Sequence, residues 1–264
     1  MMLILHVLIL SLLSGGSAEV VTDFESKCGQ FFAHGKSPTK FTGTQYRQIC
    51  QTLNNVVYFA TFYDTYNKIP VYSAYKFEGL MTCTRLNKWY IEPQIDDVMK
   101  GKNMDFSRTV NIDRRGDNQA LNRDYDNSGY DKGHLAPVYL ANSQGCADAT
   151  FTLTNAAPQA KCFNRVFWWD EEQSLAKHLE STCRLQTVYI VTGVVPGINK
   201  INNRVNVPSH FWTAYCCLDK KNRCIVSGGI IGTNENDSTI RKMDVAALET
   251  ELQNLYGKPF KLFQ

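Results

Sequence analysis

The sequence predicts an α+β fold with a largely antiparallel sheet, and three observations carry that expectation. Runs rich in Val, Ile, Phe, Tyr and Thr lie on both sides of one central helical segment. Two of these runs flank the turn-like stretch Asp64-Thr-Tyr-Asn-Lys68. Strands and helices also fail to alternate regularly, which argues against βαβ units and a parallel sheet.

The first eighteen residues carry no Lys, Arg, Asp or Glu, and an apolar run from Leu3 to Leu13 ends in Ser14-Gly-Gly-Ser-Ala18. That pattern reads as a signal peptide cut after Ala18. Residues 19–264 contain no Pro/Ser-rich linker, repeat or low-complexity stretch, so they read as one domain. The apolar run is shorter than the roughly 20 residues of a membrane span, and later runs are broken by charges, Gly or Pro. No stable membrane association is expected. From Cys28 to Gly43 the chain reads as loop, and Val56 to Tyr63 with Pro70 to Phe77 as a hairpin. The polar stretch from Arg108 to Tyr130 is a long loop, of the kind that is usually functional or mobile. A strand is expected from Thr150 to Thr154, then a helix from Asn164 to Glu180 with Phe167, Leu175, Ala176 and Leu179 inward. Three strands follow, from Thr187 to Thr192, Phe211 to Leu218 and Cys224 to Ile231. A closing helix runs from about Ser238 to Tyr256, set by Ile240, Met243, Leu248, Leu252 and Leu255 and stopped by Gly257 and Pro259.

All nine cysteines lie after the expected cleavage point, where an oxidising compartment pairs thiols. An odd number leaves one free or available for an intermolecular disulfide. The adjacent Cys216 and Cys217 should point to opposite faces of a strand rather than pair together. The spacings lack the short pairs of a zinc module. Asn236-Asp237-Ser238 is a glycosylation sequon. Formal charge is +3, far from the imbalance of a nucleic-acid packaging protein. Lys100, Lys102, Arg108, Arg114 and Arg115 concentrate positive charge locally, diluted by Asp105 and Asp113. Gly35-Lys36-Ser37 lacks the earlier glycine of a phosphate-binding loop, since Gln30 stands there.

Two segments carry chemistry: Tyr130-Asp131-Lys132-Gly133-His134-Leu135-Ala136-Pro137, and Phe151-Thr-Leu-Thr-Asn155-Ala-Ala-Pro158-Gln159 running on to Asn164, Trp168 and Glu172. An imidazole titrates near neutrality, so His134 is the natural general base, and Gly133 leaves room for substrate beside it. His34, His178 and His210 read as structural. Asn164, Trp168 and Glu172 are spaced by four, which puts them on one helical face. An amide oxygen near a carboxylate suits a hard cation such as Mg²⁺. Taken alone, Asn164 serves equally as a helix cap, and Trp168 as a core residue. Asn155 reads as fixing the loop that orients His134. On sequence alone Arg85 reads as a surface or structural residue.

These segments resemble the DNA/RNA non-specific endonucleases of the ββα-metal class. The family carries Asp-Arg-Gly-His, a strand ending in Asn-x-x-Pro-Gln, then Asn-x-x-x-Trp-x-x-x-Glu on a helix. The chain matches this except at Lys132, which keeps the charge of the family's Arg and loses its fork. Arg85-Leu-Asn-Lys-Trp89 resembles the family's upstream Arg, and the Cys- and Tyr-rich body resembles its secreted, endonuclease domain-containing 1-like branch. The resemblance spans roughly residues 50–256. It implies a ββα-metal fold with helices flanking the sheet, and a secreted enzyme that hydrolyses DNA and/or RNA with little sequence preference. It further implies Mg²⁺ or Mn²⁺ held by Asn164, with Glu172 positioning water, Arg85 clamping phosphate and products ending in 5′-phosphate. A rival reading is a catalytically weakened extracellular relative that binds polyanions or protein partners; a small-substrate phosphodiesterase is a further one.

Overall fold

Antiparallel pairing builds an eight-stranded sheet through the middle of the protein, in a computed structural model that describes residues 20–264. The expected signal peptide lies outside the described residues. In chain order the elements are β1 (Val20–Val21), α1 (Phe24–Cys28), β2 (Tyr46–Leu53), β3 (Val56–Asp64) and β4 (Ile69–Phe77). Next come β5 (Tyr90–Ile91), α2 (Pro93–Asp96), β6 (Asp105–Phe106), β7 (Tyr130–His134), α3 (Gln144–Ala149) and β8 (Ala156–Ala160). The chain ends with α4 (Trp169–Thr182), β9 (Thr187–Val195), β10 (Lys200–Ile201), β11 (Val205–Asn206), β12 (His210–Leu218), β13 (Cys224–Thr233), β14 (Ile240–Met243) and α5 (Val245–Tyr256). The large sheet runs β1-β2-β3-β4-β9-β12-β13-β14, while β5–β6, β7–β8 and β10–β11 are two-stranded ribbons.

Both faces of the sheet are covered, which is why its central strands are apolar almost throughout. On β9, Val188, Ile190 and Val194 join Phe211, Leu175, Ala176 and Leu179 on the α4 side. Val191 and Val195 join Trp212, Phe24, Leu248 and Leu252 on the side of α1 and α5. The expected β3–β4 hairpin is present, and its turn is closed by Asp64 Oδ1, which accepts from the Tyr66 and Asn67 amides at 2.9 and 3.1 Å. Pro70 is tolerated inside β4 because the register shifts opposite it, between Phe62 and Tyr63.

Two expectations are corrected. Thr150 to Thr154 is no strand: it bends into a short turn at Leu153–Asn155, and β8 begins at Ala156. Thr152, Thr154 and Asn155 are fully buried there, and their side chains bond locally and across the core in place of a strand ladder. The closing helix is shorter than expected, because Ile240–Met243 adds an edge strand to β13. Asp244 then caps α5 by accepting from the Ala247 amide at 2.7 Å, and Gly257 ends it with φ 65°.

Disulfides tie Cys28 to Cys50, Cys183 to Cys217 and Cys216 to Cys224. As expected, Cys216 and Cys217 turn to different partners. Among the described residues no helix is long and apolar enough to cross a membrane.

Candidate active site

The ribbon β7–β8 sets His134 opposite Ala156 and Lys132 opposite Pro158. Residues two apart on a strand share a face, so Lys132 and His134 open on the same side. With Arg85, Asn164, Glu172 and Trp169 they line a cleft of about 370 Å³. Packing requires Gly133 between them: a Cβ there would fall 2.2 Å from Gln159 Oε1.

His134 is wedged against Trp89 and Phe151, with ring centroids 4.8 Å away in each case. Its Nε2 is buried and bonds to nothing among the described residues. Burial, and secondly the Arg85 guanidinium, push the imidazole down to about 3, so it is neutral at physiological pH. Arg85 itself lies over Phe151 at 5.3 Å. The Lys132 ammonium sits over Trp89 at 5.7 Å and Tyr125 at 5.2 Å, and burial lowers it below the ordinary lysine value against the pull of Asp126 and Asp131. Glu172 is pushed up to about 8 by burial, opposed by Arg85. His34, His178 and His210 each hold a hydrogen bond away from the cleft.

The helix that carries Asn164 starts at Lys161 and passes through a π-helical stretch, Phe163–Trp168, before α4. Asn164 is therefore interior and caps nothing. Its Nδ2 donates to Asp131 Oδ2 at 2.9 Å, and Arg165 grips the same carboxylate with two bonds of 2.7 Å. That leaves the Asn164 carbonyl oxygen without a hydrogen bond among the described residues. The expected line of Asn164, Trp168 and Glu172 on one face is also corrected. A π turn relates residue i to i+5, so Trp169 takes the cleft position five after Asn164. Trp168 is only 3% exposed and packs on Phe163 and Phe211 at 5.4 and 6.0 Å.

Asn155 lies behind the cleft, fully buried. Its carbonyl accepts from the Leu135 amide, and its side chain both accepts from and donates to the Ala136 backbone, all at 2.9 Å. It also donates to Thr150 O and accepts from Ser73 Oγ, each at 2.9 Å. Ser73 is itself joined through Thr61 and Gln51 to Thr154, so a buried polar chain backs the segment that follows His134.

The sequence pattern of the DNA/RNA non-specific endonuclease family matches residues 37–256. The chain belongs to the DNA/RNA non-specific endonuclease family. It is similar to the Endonuclease domain-containing 1 protein of Homo sapiens, 34% identical over 199 residues that make up 72% of this chain and 39% of that relative. The same protein of Mus musculus is 30% identical over 195 residues, 72% of this chain and 38% of the relative. The chain thus spans about two fifths of the length of these curated relatives, whose covered shares are 39% and 38%. Human mitochondrial Endonuclease G is 32% identical over 150 residues, 49% of this chain and 48% of the relative. In fold, the chain is similar to a solved structure of the EndoG/EndoGI complex, with a TM-score of 0.56 and 21% identity over 90% of this chain and 91% of that one. The fold is that of a ββα-metal nuclease.

For a member of this endonuclease family, the donor set fits a hard divalent cation. Asp131 holds the NH₂ end of Asn164 and leaves its oxygen without a hydrogen bond in a cleft that Glu172 also lines, and Mg²⁺ takes few protein ligands while keeping waters. Among the described residues no group of three or more His, Cys, Asp or Glu is arranged to hold a metal. Sequence reasoning missed the roles of Asp131 and Arg165 and the aromatic walls Phe151, Tyr125 and Trp169. Asp131 and Arg165 are 34 residues apart, and no local pattern announces their pairing.

Proposed function

We propose that the chain is a secreted, cation-dependent endonuclease that hydrolyses phosphodiester bonds of DNA and/or RNA with little sequence preference. One observation carries this reading: a neutral His134 with an unpartnered, buried Nε2 shares a single cleft with the open amide oxygen of Asn164 and the cations Arg85 and Lys132. Asn164 is the residue that would hold Mg²⁺ or Mn²⁺, which supplies charge against that developing on the phosphate and the leaving 3′-oxygen. His134 takes the proton from the attacking water. Burial and then the Arg85 guanidinium hold the free imidazole at about 3; a phosphodiester anion seated against Arg85 offsets the second of these causes, and its own charge favours the protonated ring that forms as the proton is taken. Arg85 and Lys132 hold the phosphate oxygens, and Glu172 orients water, taking its charge only beside a positive neighbour. Asn155 touches no substrate; it fixes the backbone on which His134 sits.

The test is incubation of the purified full chain with plasmid and with RNA, in Mg²⁺ and in chelator, beside His134→Ala. Cutting that needs the cation and is lost in the variant, with the fold intact by circular dichroism, is the expected result. Binding without cutting in either nucleic acid would favour the weakened, polyanion-binding reading. Undiminished cutting by His134→Ala would remove the proposed base.

A further inference from the structure

Residues 78–89 join β4 to β5 and deliver Arg85 to the cleft, yet among the described residues the backbone of 78–89 makes no hydrogen bond to other backbone groups. Side chains hold this segment instead. Glu78 meets the Asn142 amide, and Thr84 is bound by Gln144 through its amide N–H at 2.9 Å, its hydroxyl at 3.1 Å and its carbonyl at 3.0 Å. These two anchors end at the start of α3, while a third runs from the Leu80 amide to Glu180 Oε1 on α4 at 3.2 Å. Each side of the α3 contact carries a thiol that the three disulfides leave over, Cys83 next to Thr84 and Cys146 on α3 two residues after Gln144. Cys146 lines a cavity of about 60 Å³ that Glu78, at the start of the segment, and Asn142 also line. The two thiols lie close enough to act on each other electrostatically, and both are partly buried.

We propose that Cys83 and Cys146 form a disulfide that fastens the Arg85 segment to α3. A disulfide needs Cα atoms about 4.4–6.8 Å apart, and a segment without regular structure, held to Gln144 by three hydrogen bonds beside Cys83, can adjust to that separation without breaking a backbone ladder. The oxidant is a low-molecular-weight disulfide such as oxidised glutathione. The Cys83 thiolate attacks one of its sulfurs and releases one glutathione thiolate; Cys146 loses its proton, displaces the second, and the S–S bond closes. Two thiols are oxidised and one glutathione disulfide is reduced to two thiols. Burial holds Cys146 up at about 11, which disfavours it as the first attacker and assigns that step to Cys83. This pairing leaves Cys162, which is exposed, as the odd thiol and the one open to another chain.

The test is covalent and independent of any nuclease assay. The full chain, equilibrated in a buffer of oxidised and reduced glutathione, is alkylated without reduction, digested and mapped by mass spectrometry. The expected result is a linked Cys83–Cys146 peptide, loss of both alkylated forms, and alkylation at Cys162. Amide hydrogen exchange over residues 79–88 should be slower in this protein than after reduction, and a Cys83→Ser/Cys146→Ser variant should be insensitive to the redox buffer there. Alkylated Cys83 and Cys146 in the oxidised protein, or a linkage of either to Cys162, would overturn the proposal.

Discussion

Asp131→Ala removes the group that orients the Asn164 amide, and the size of the effect follows from the bonds around it. Asn164 Nδ2 donates to Asp131 Oδ2 at 2.9 Å, while Arg165 holds that carboxylate at 2.7 Å twice. Burial raises the carboxyl of Asp131, but the bonds from Arg165 and Asn164 prevail and keep it below the usual range, so it is ionised at neutral pH. An amide bond to a carboxylate contributes about 1.5–3 kcal/mol, and the exposure of Arg165 argues for the low end, about 1.5 kcal/mol. That bias keeps the carbonyl toward the cleft in more than about nine molecules in ten. Without Asp131 the two amide orientations become nearly equal, which weakens cation binding about twofold. If the released Arg165 also donates to Asn164 Oδ1, the preference inverts and the loss exceeds twofold. Calorimetric titration of Mg²⁺ into parent, Asp131→Ala and Asp131→Ala/Arg165→Ala separates these terms. The double variant preserves the net charge of the pair and should return to about a twofold loss. Parent-like affinity in Asp131→Ala would refute the orienting role, and parent-like affinity in Asn164→Ala would remove Asn164 as ligand.

Three further outcomes are expected. Lys132→Arg should raise kcat by up to roughly tenfold, about 1.4 kcal/mol, with KM nearly unchanged, because a guanidinium stacks between Trp89 and Tyr125 while its fork holds two phosphate oxygens. Equal or slower turnover on one defined duplex would show a site adapted to lysine. In chelator, stability should depend on pH in a specific way. His134 at about 3 against an ordinary 6.5 favours the fold above 6.5 and loses that contribution as pH falls, whereas Glu172 at about 8 against 4.5 favours it below 4.5 and loses it as pH rises to 8. Denaturant midpoints of Glu172→Gln should therefore lack the parent's decline between about 6.5 and 8; an identical decline would assign it to other groups. Asn155→Ala strips both Ala136 backbone groups and the Thr150 carbonyl of their side-chain partner and leaves the Ser73 hydroxyl only Thr61, and should cost about 3–5 kcal/mol by urea unfolding. A cost under about 1 kcal/mol would mean that water replaces the amide.

What was legible in the sequence is what local periodicity determines. The β3–β4 hairpin and the strands β9, β12 and β13 follow from apolar runs bounded by turn residues, and Arg85, Lys132, His134, Asn164 and Glu172 do meet at one cleft. The misplaced elements share one cause, which is that a tertiary partner outweighed local preference. Ile240 and Met243 have helical spacing with Leu248, but an open edge of β13 offered them a ladder first. Thr150 to Thr154 alternates like a strand, but Thr154 found a buried partner in Gln51 on β2, and the adjoining Asn155 found partners on β4 and on the His134 segment. Long-range pairs such as Asp131 with Arg165 leave no trace in any window of sequence.

The π turn shows why the most informative failure lies at the site itself. A regular α-helix would set Asn164, Trp168 and Glu172 in one row, and the cleft would then expose a tryptophan that the core needs against Phe163 and Phe211. One wider turn separates the two demands: Trp168 rotates into the core, Trp169 takes its place on the cleft against Tyr139 at 5.0 Å, and Glu172 still lines it. The wider turn costs regular helical hydrogen bonding, and the burial of Trp168 offsets that cost. Core and site therefore constrain the same six residues, Phe163–Trp168. A substitution that restores regular helix there should disturb the packing of Trp168 and cation binding together, whereas loss of the Asp131 carboxylate should weaken cation binding and leave Trp168 buried.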